Sequence, residues 1–289
     1  MNFIDLHVHS TSSDGTVPAG QLLDLISVEQ YDHVVLALTD HDCVAGIPAL
    51  QKAAKAYTNV TIIPGVEVST EYQGYSVHML GLGIDPTNSA LQEKLNTLSE
   101  GRDRRNYKIL EKFEEIGIHI PEFVIQPEKG KAIGRPLIAA WLIEHGLATD
   151  MGDAFTRYLG EGARCYVDRV RYSPADSVKL ILEAGGIPVL AHPMQYHKFS
   201  RKMLEQLISD LKDIGMQGIE TYYTEFSKAE TAYVESLAER FGLLRTGGSD
   251  FHGENKPTYQ LGFGWGRLGE TFEKIQYEEI LRRTGLRKQ

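Results

Sequence analysis

Cysteine occurs only twice in the 289 residues, at Cys43 and Cys165, which excludes a disulfide framework and a four-thiolate zinc site. Both fit small buried hydrophobes in a reducing compartment. Long apolar runs are missing as well: residues 34–38 and 187–191 stop after a handful, far short of the roughly 18 that a membrane helix needs. The first nine residues have no basic stretch before Asp5 and His7, so no signal peptide is expected, and the expectation is a cytoplasmic protein without a membrane partner. Positive charge is short, with 30 Lys and Arg against 39 Asp and Glu and a net charge of −9. That balance argues against a protein that grips duplex DNA by general electrostatics. Any polyanionic substrate must meet local positive charge instead. What remains is ordinary: 42% hydrophobic, 24% charged, 28 Gly and 11 Pro exclude collagen-like, low-complexity and disordered chains.

Short β-rich runs recur at residues 3–8, 34–39, 60–68, 75–82, 187–191, 218–223 and 243–246. Helical patterns lie between several of them, at residues 22–26, 49–57, 174–184, 204–214 and 229–241. The third of these ends at Gly185-Gly186, a good C-cap. Strands alternating with helices predict parallel β/α units, and seven candidate strands favour an α/β fold that is a closed or nearly closed (β/α) barrel over an open sheet, although periodicity alone does not settle closure. Residues 91–166 break the rhythm, reading as helices over 91–117, 135–144 and 151–159 with no convincing strand. The expected organisation is therefore a barrel formed by 1–90 and 167–289 with a mostly helical cap, 91–166, inserted in it. Residues 101–171 hold 12 Lys and Arg against 11 Asp and Glu, so the scarce positive charge concentrates in that insert. The basic end, residues 282–288, reads as a solvated tail.

The histidines carry the chemical signal. Six of the ten, with three carboxylates, fall at or just beyond predicted strand ends. His7 and His9 stand two apart, so an extended strand turns both imidazoles to one side. Asp14 follows in a Ser/Gly-rich turn. The second strand ends in Thr39-Asp40-His41-Asp42, the third carries Glu67, the next His78, the fifth runs into His192-Pro193, and the last ends in Gly248-Ser249-Asp250-Phe251-His252. In a β/α barrel the C-terminal strand ends converge on one mouth, where these groups would gather. Imidazole with carboxylate suits Zn, Mn or Fe, and an oxygen-rich position could take Mg. Burying so many imidazoles without a cation would leave ring nitrogens unsatisfied at about 1–3 kcal/mol each. Asp5 shares the parity of His7 and His9 and could orient a ligand or serve as a polar core residue. Ser12, Ser69 and Ser249 sit in no serine-hydrolase elbow. The run 262–266 lacks the Lys-Ser/Thr ending of a phosphate loop and reads as a turn.

Asp-Leu-His-Val-His-Ser with Ser-Asp-Gly, Thr-Asp-His-Asp, Gly-Val-Glu, His78, Leu-Ala-His-Pro and Gly-Gly-Ser-Asp-Phe-His-Gly together resemble the PHP (polymerase and histidinol phosphatase) family of metal-dependent phosphoesterases, over Met1 to about Gly266. Gly134-Arg135-Pro136, followed by an apolar helix, resembles the insert of the subgroup acting on nucleoside 3′,5′-bisphosphates and short RNA 5′ ends. The resemblance implies a distorted seven-stranded barrel holding two to three divalent ions. It implies His7, His9, Glu67 and Asp250 at the first, Glu67, His78 and His192 at the second, and Asp14, His41 and His252 at the third. Family members often carry a histidine in a Tyr-x-x-x-His stretch after the sixth strand; this chain reads Tyr222-Tyr223-Thr224-Glu225-Phe226 there. The departure touches substrate contacts rather than the metal set.

Paired ions about 3.5–4 Å apart lower the pKa of a bridging water and clamp the oxygens of an in-line displacement. The expected nucleophile is thus a hydroxide bridging metals held by Glu67 and His192, and no protein nucleophile is needed. Arg135 is expected to fork onto phosphate oxygens, with Arg164 as a second substrate contact. His197 is a candidate for leaving-group protonation, whereas His33, His119 and His145 lack motif context. The expected partner is a small phosphorylated substrate, a nucleotide or short oligonucleotide, and the expected reaction is removal of the 3′-phosphate of a nucleoside 3′,5′-bisphosphate. A 5′ to 3′ exonuclease on short oligonucleotides and a cyclic phosphodiesterase are the alternatives. A histidinol-phosphate phosphatase and a non-catalytic scaffold rank below them, since no metal ligand is lost.

Overall fold

A computed structural model of the chain describes residues 1–125, 135–168, 172–264 and 266–286. Seven strands form one sheet in sequence order: β1 (Asn2–Val8), β2 (His33–Leu38), β3 (Val60–Tyr72), β4 (Tyr75–Leu82), β5 (Ile187–Leu190), β6 (Gly218–Tyr223) and β7 (Leu244–Gly248). The sheet curls until its edges meet. Asp250 N donates to His7 O at 2.8 Å, His9 N donates to Phe251 O at 3.0 Å, and Val8 pairs Phe251 in a parallel bridge. Periodicity could not decide between an open sheet and a barrel; these two bonds make the barrel nearly closed.

The expectation of parallel β/α units fails at one strand. β4 runs antiparallel to both β3 and β5, while the other neighbours are parallel. The cause is the link from Tyr72 to Tyr75, which is Gln73-Gly74 alone, with φ of 50° and 86°. Two consecutive residues in the left-handed region make the tight hairpin turn that matches strand twist. A parallel neighbour would need a crossover of a dozen residues or more.

Helices α1 (Ile47–Ala54), α5 (Pro174–Glu183), α6 (Arg201–Ile214) and α7 (Lys228–Phe241) follow their strands, and α8 (Tyr277–Thr284) comes last. The pattern at residues 22–26 is realised as a 3-10 helix, Ala19–Leu25. Start and stop signals are local. Ser173, Ser200 and Ser227 accept from the backbone N–H three residues on, and Gly215 and Gly242 close α6 and α7 in the left-handed conformation. The core joins Ile4 and Leu6 of β1 to Val35, Ile63, Leu80, Val189 and the α8 residues Ile280 and Leu281. Burying each such side chain contributes about 1.5–3 kcal/mol. Strand alternation therefore spends Ile4 and Leu6 on packing and leaves Asp5, His7 and His9 for polar contacts.

The chain divides into two compact units, Met1–Leu95 with Arg171–Gln289, and Asn96–Val170. The second has its own core, in which Ile109 and Phe113 of α2 (Ser89–Glu115) pack with Ile138 and Leu142 of α3 (Arg135–Glu144) and with Tyr158 and Leu159. The helix expected over 151–159 is a single α turn, α4 (Met151–Ala154), running into a π turn at Phe155–Leu159. Cys165 is buried in this core, and burial pushes its thiol up to about 11, so it packs as a hydrophobe. Residues 263–264 and 266–267 pair as a minimal hairpin rather than a bare turn. Among the described residues no helix is long and apolar enough to cross a membrane.

Candidate metal centre

Six of the seven strands, all but β6, deliver nine side chains to one place. Three groups present ligand atoms within 4.8 Å of one another: His7, His9, Glu67 and Asp250; His9, Asp14, His41 and His252; and His41, Glu67 and His78. Glu67 is their hub. Its Oε2 lies 3.2 Å from His7 Nε2, 3.1 Å from His9 Nε2 and 3.1 Å from His41 Nδ1. Its Oε1 lies 2.9 Å from His78 Nδ1 and 3.0 Å from His192 Nε2. The grouping differs from the expected one in three respects: His192 meets Glu67 but falls outside the three compact groups, His41 reaches Glu67 as well as Asp14, and His9 also approaches Asp14, at 3.4 Å through Nδ1.

The donors fit divalent cations. His7 Nε2 and His9 Nε2 are 3.1 Å apart, a distance at which two ring nitrogens can share at most one proton. Glu67 Oε2, His41 Nδ1, His78 Nδ1 and His252 Nε2 are buried and make no hydrogen bond, although each has an oppositely charged or polar atom at short range. Distance without hydrogen-bond direction is what results when lone pairs aim at shared points instead of at each other. Leaving such groups unsatisfied costs about 1–3 kcal/mol apiece, a burden that cation binding would remove.

Supporting groups fix the ring orientations. His7 Nδ1 faces Glu220 Oε1 at 3.0 Å, and His252 Nδ1 faces its neighbour's carbonyl, Asp250 O, at 2.7 Å. Each contact assigns the proton to Nδ1 and leaves Nε2 as a ligand atom. Glu220 Oε2 also accepts from His192 N at 2.7 Å, so one buried carboxylate locks two cluster residues. Asp40 accepts from Ser10 N, Ser10 Oγ and Ser13 Oγ, holding the turn that carries Asp14, and Asp42 accepts from Ser69 N, two residues beyond Glu67. Asp5 bonds to backbone amides and a serine hydroxyl. Its carboxylate accepts from Ser249 N, Ser249 Oγ, Gly262 N and, at 3.3 Å, His7 N, tying β1 to the segment that presents Asp250. Burial outweighs these bonds and lifts Asp5 to about 6.

Without cations the cluster polarises itself. Burial works against charge on His9, yet Asp250, Glu67 and Asp14 hold it up at about 9. His7 is likewise raised, against burial, by Glu220, Glu67 and Asp250. Burial disfavours charge on Asp14, Glu67 and Asp250 as well, but the surrounding imidazoles keep all three well below the usual carboxylate range. His41 and His252 are lowered, first by burial. Backbone strain concentrates here too. Of four non-glycine residues at positive φ among the described residues, three are Asp42 at 50°, His192 at 27° and Asp250 at 56°. Each costs on the order of 1–3 kcal/mol and is held by the bonds just described.

Three other expected residues have surroundings of their own. His197 is exposed and interacts with Glu230. Arg135 and Arg164 belong to the second unit: Arg135 Nη1 donates to Leu159 O at 3.0 Å and its guanidinium lies 5.3 Å from the Phe155 ring, while Arg164 is exposed. Gly134 lies outside the described residues. Sequence reasoning missed Glu220, although a carboxylate inside the otherwise uncharged run Gly218–Tyr223 was its signal. It also passed over Asp40 and Asp42 beside His41, the Tyr223 hydroxyl that donates to Asp250 Oδ2 at 2.7 Å, and Lys256, whose Nζ meets the same oxygen at 2.7 Å.

The PHP domain family matches residues 5–116. A 3′,5′-nucleoside bisphosphate phosphatase of Chromobacterium violaceum is 37% identical, covering 86% of this chain and 87% of its own length. A 5′-3′ exoribonuclease of Haemophilus influenzae is 32% identical over 94% of each chain. Among solved structures, an amidohydrolase from Chromobacterium violaceum with bound sulfate and no metal superposes with a TM-score of 0.80 at 32% identity, covering 97% of this chain and 96% of that one. A protein of Bifidobacterium adolescentis assigned as a metal-dependent phosphoesterase gives 0.77 at 26% identity, over 98% and 96%.

Proposed function

We propose that this chain, which belongs to the PHP domain family and is a metal-dependent phosphoesterase, removes the 3′-phosphate of a nucleoside 3′,5′-bisphosphate. The observation that carries the phosphoester chemistry is the convergence of six histidines and three carboxylates around Glu67. The 37% identity to a nucleoside bisphosphate phosphatase supports the substrate.

Two to three divalent ions fit the donor set. His7, His9, Glu67 and Asp250 would hold one, Glu67, His78 and His192, with His41 at hand, a second, and Asp14, His41 and His252, with His9 nearby, a third. When bound, such ions supply Lewis-acid charge to phosphate oxygens and make solvent water acidic enough to serve as nucleophile near neutrality. The chain's part is to bind and orient. Glu67 joins two of the groups and meets His192 through Oε1, Glu220 holds the ring of His7 and the backbone of His192, and the Asp40 and Asp5 networks fix the segments bearing Asp14 and Asp250. Three divalent ions would outweigh the charges of Asp14, Glu67 and Asp250, so a phosphate is attracted despite the acidic chain. Arg135 and Arg164 are proposed phosphate contacts.

Metal-loaded protein should release inorganic phosphate from a nucleoside 3′,5′-bisphosphate faster than from other phosphomonoesters. A second reading, exonuclease action on short RNA, draws on the 32% identity to an exoribonuclease. Release of nucleoside monophosphates from oligomers, with no phosphate from bisphosphates, would replace the first reading by the second.

A further inference from the structure

We propose that Lys256 is a substrate residue that donates to a non-bridging oxygen of the scissile phosphate beside Asp250, an inference that rests on the phosphoesterase reading above. Among the described residues its Nζ is the one Lys or Arg nitrogen within 4.0 Å of a cluster carboxylate, at 2.7 Å from Asp250 Oδ2. The side chain is 37% exposed, whereas that of Asp250 is 5% exposed. The ammonium thus stands between the buried ligand set and solvent. It has three N–H donors; one is used by Asp250, and the ring of Tyr259 lies 5.1 Å away.

A role confined to steadying Asp250 accounts poorly for this lysine. Asp250 Oδ2 already accepts from the Tyr223 hydroxyl at 2.7 Å, while Oδ1 faces His9 Nε2 at 3.3 Å and His7 Nε2 at 3.5 Å. Ordering a lysine costs on the order of 1.5–2 kcal/mol of rotamer entropy. Once cations share the charge of Asp250, an adjacent ammonium is repelled unless an anion arrives, and a phosphate dianion is the anion this site would attract. Charge-assisted bonds from lysine to phosphate are short and about twice as strong as neutral ones. The backbone bearing Lys256 is already fixed next to the cluster. Asn255 Nδ2 donates to Asp14 O at 2.7 Å, Glu254 N to Thr16 Oγ1 at 2.9 Å, and Lys256 N to Gly253 O at 3.2 Å.

The test is calorimetric binding of inorganic phosphate to the full chain loaded with Mn2+, with metal content measured on the same samples. Lys256→Gln should weaken phosphate binding by about tenfold or more, with the metal stoichiometry of the wild type, and Lys256→Arg should recover most of the loss. Unchanged phosphate affinity in Lys256→Gln overturns the proposal. So does loss of bound metal with normal phosphate affinity once metal is restored, because that is the behaviour of a residue serving Asp250 alone. The phosphoesterase reading fails separately: a wild-type protein that binds metal but neither phosphate nor any phosphomonoester would remove the premise itself.

Discussion

At the scale of the residue, a carboxylate acquires its role from what it faces. Glu67 faces five imidazole nitrogens within 3.2 Å, so its removal takes a ligand from every group it joins. Glu220 faces the far nitrogen of His7 and the amide of His192 and sets geometry without being able to reach the same point. The two should therefore fail differently. Glu67→Ala and His9→Ala are expected to leave the protein folded and to lower turnover by more than ~100-fold, because loss of groups that merely orient ligands already costs about 10–100-fold. Full turnover in both variants, measured with saturating Mn2+, would contradict the assignment. Glu220→Gln keeps an acceptor for His7 but loses its charge, and should weaken metal affinity about 10–100-fold in a chelator competition while leaving turnover at saturating metal far closer to wild type. Equal affinity in the variant and the wild type would show that His7 needs no such partner.

At the scale of the element, the site depends on close approach of β7 to β1. Gly248 ends β7, and a Cβ there would stand 2.1 Å from His7 Cβ and 2.6 Å from His7 N. Backbone, not a flexible side-chain end, would have to give. Gly248→Ala should cost about 1–3 kcal/mol or more, and should also reduce bound metal because His7 moves with the strand. Thermal unfolding and metal analysis check this together; an unchanged melting temperature with full metal content would refute it. Much of this element-level order was legible in the chain. The two-residue spacing of His7 and His9 gave their common side, and the strand-end positions of His41, His192, Asp250 and His252 gave their meeting place. Two things were not. The reversal of β4 hung on Gln73-Gly74, a dipeptide too short to show in strand and helix periodicity; Lys256 belongs to no local motif, and Glu220 showed only as a lone carboxylate in an uncharged strand, with nothing local to say what it meets. Glu220 meets His7 across 213 residues of sequence, a pairing that only the closed barrel creates.

For the whole molecule, the charge of the metal-free state couples folding to pH and to metal. His9, lifted from 6.5 to about 9, favours the folded protein fully below about pH 6.5, and that contribution fades as pH rises through 9. Asp14, Glu67 and Asp250, held below the ordinary carboxylate range, favour it above that range, and their contribution fades as pH falls through their lowered values. The metal-free protein should thus be most stable between roughly pH 5 and 6.5, and should lose stability on going to pH 9 as the carboxylates lose their protonated partners. Cations reverse this trend, because ligation requires neutral imidazoles and replaces the departing protons with positive charge. The gain in melting temperature on adding Mn2+ should therefore be larger at pH 8.5 than at pH 6.5. Metal affinity should rise about tenfold per pH unit for each proton displaced, over the range in which His7 and His9 are protonated in the metal-free protein. Titrating chelator-treated protein with Mn2+ at several pH values, in buffers of constant ionic strength, measures both quantities. A metal affinity and a melting shift that do not change between pH 6.5 and 8.5 would mean that no imidazole in the cluster gives up a proton to bind the ion.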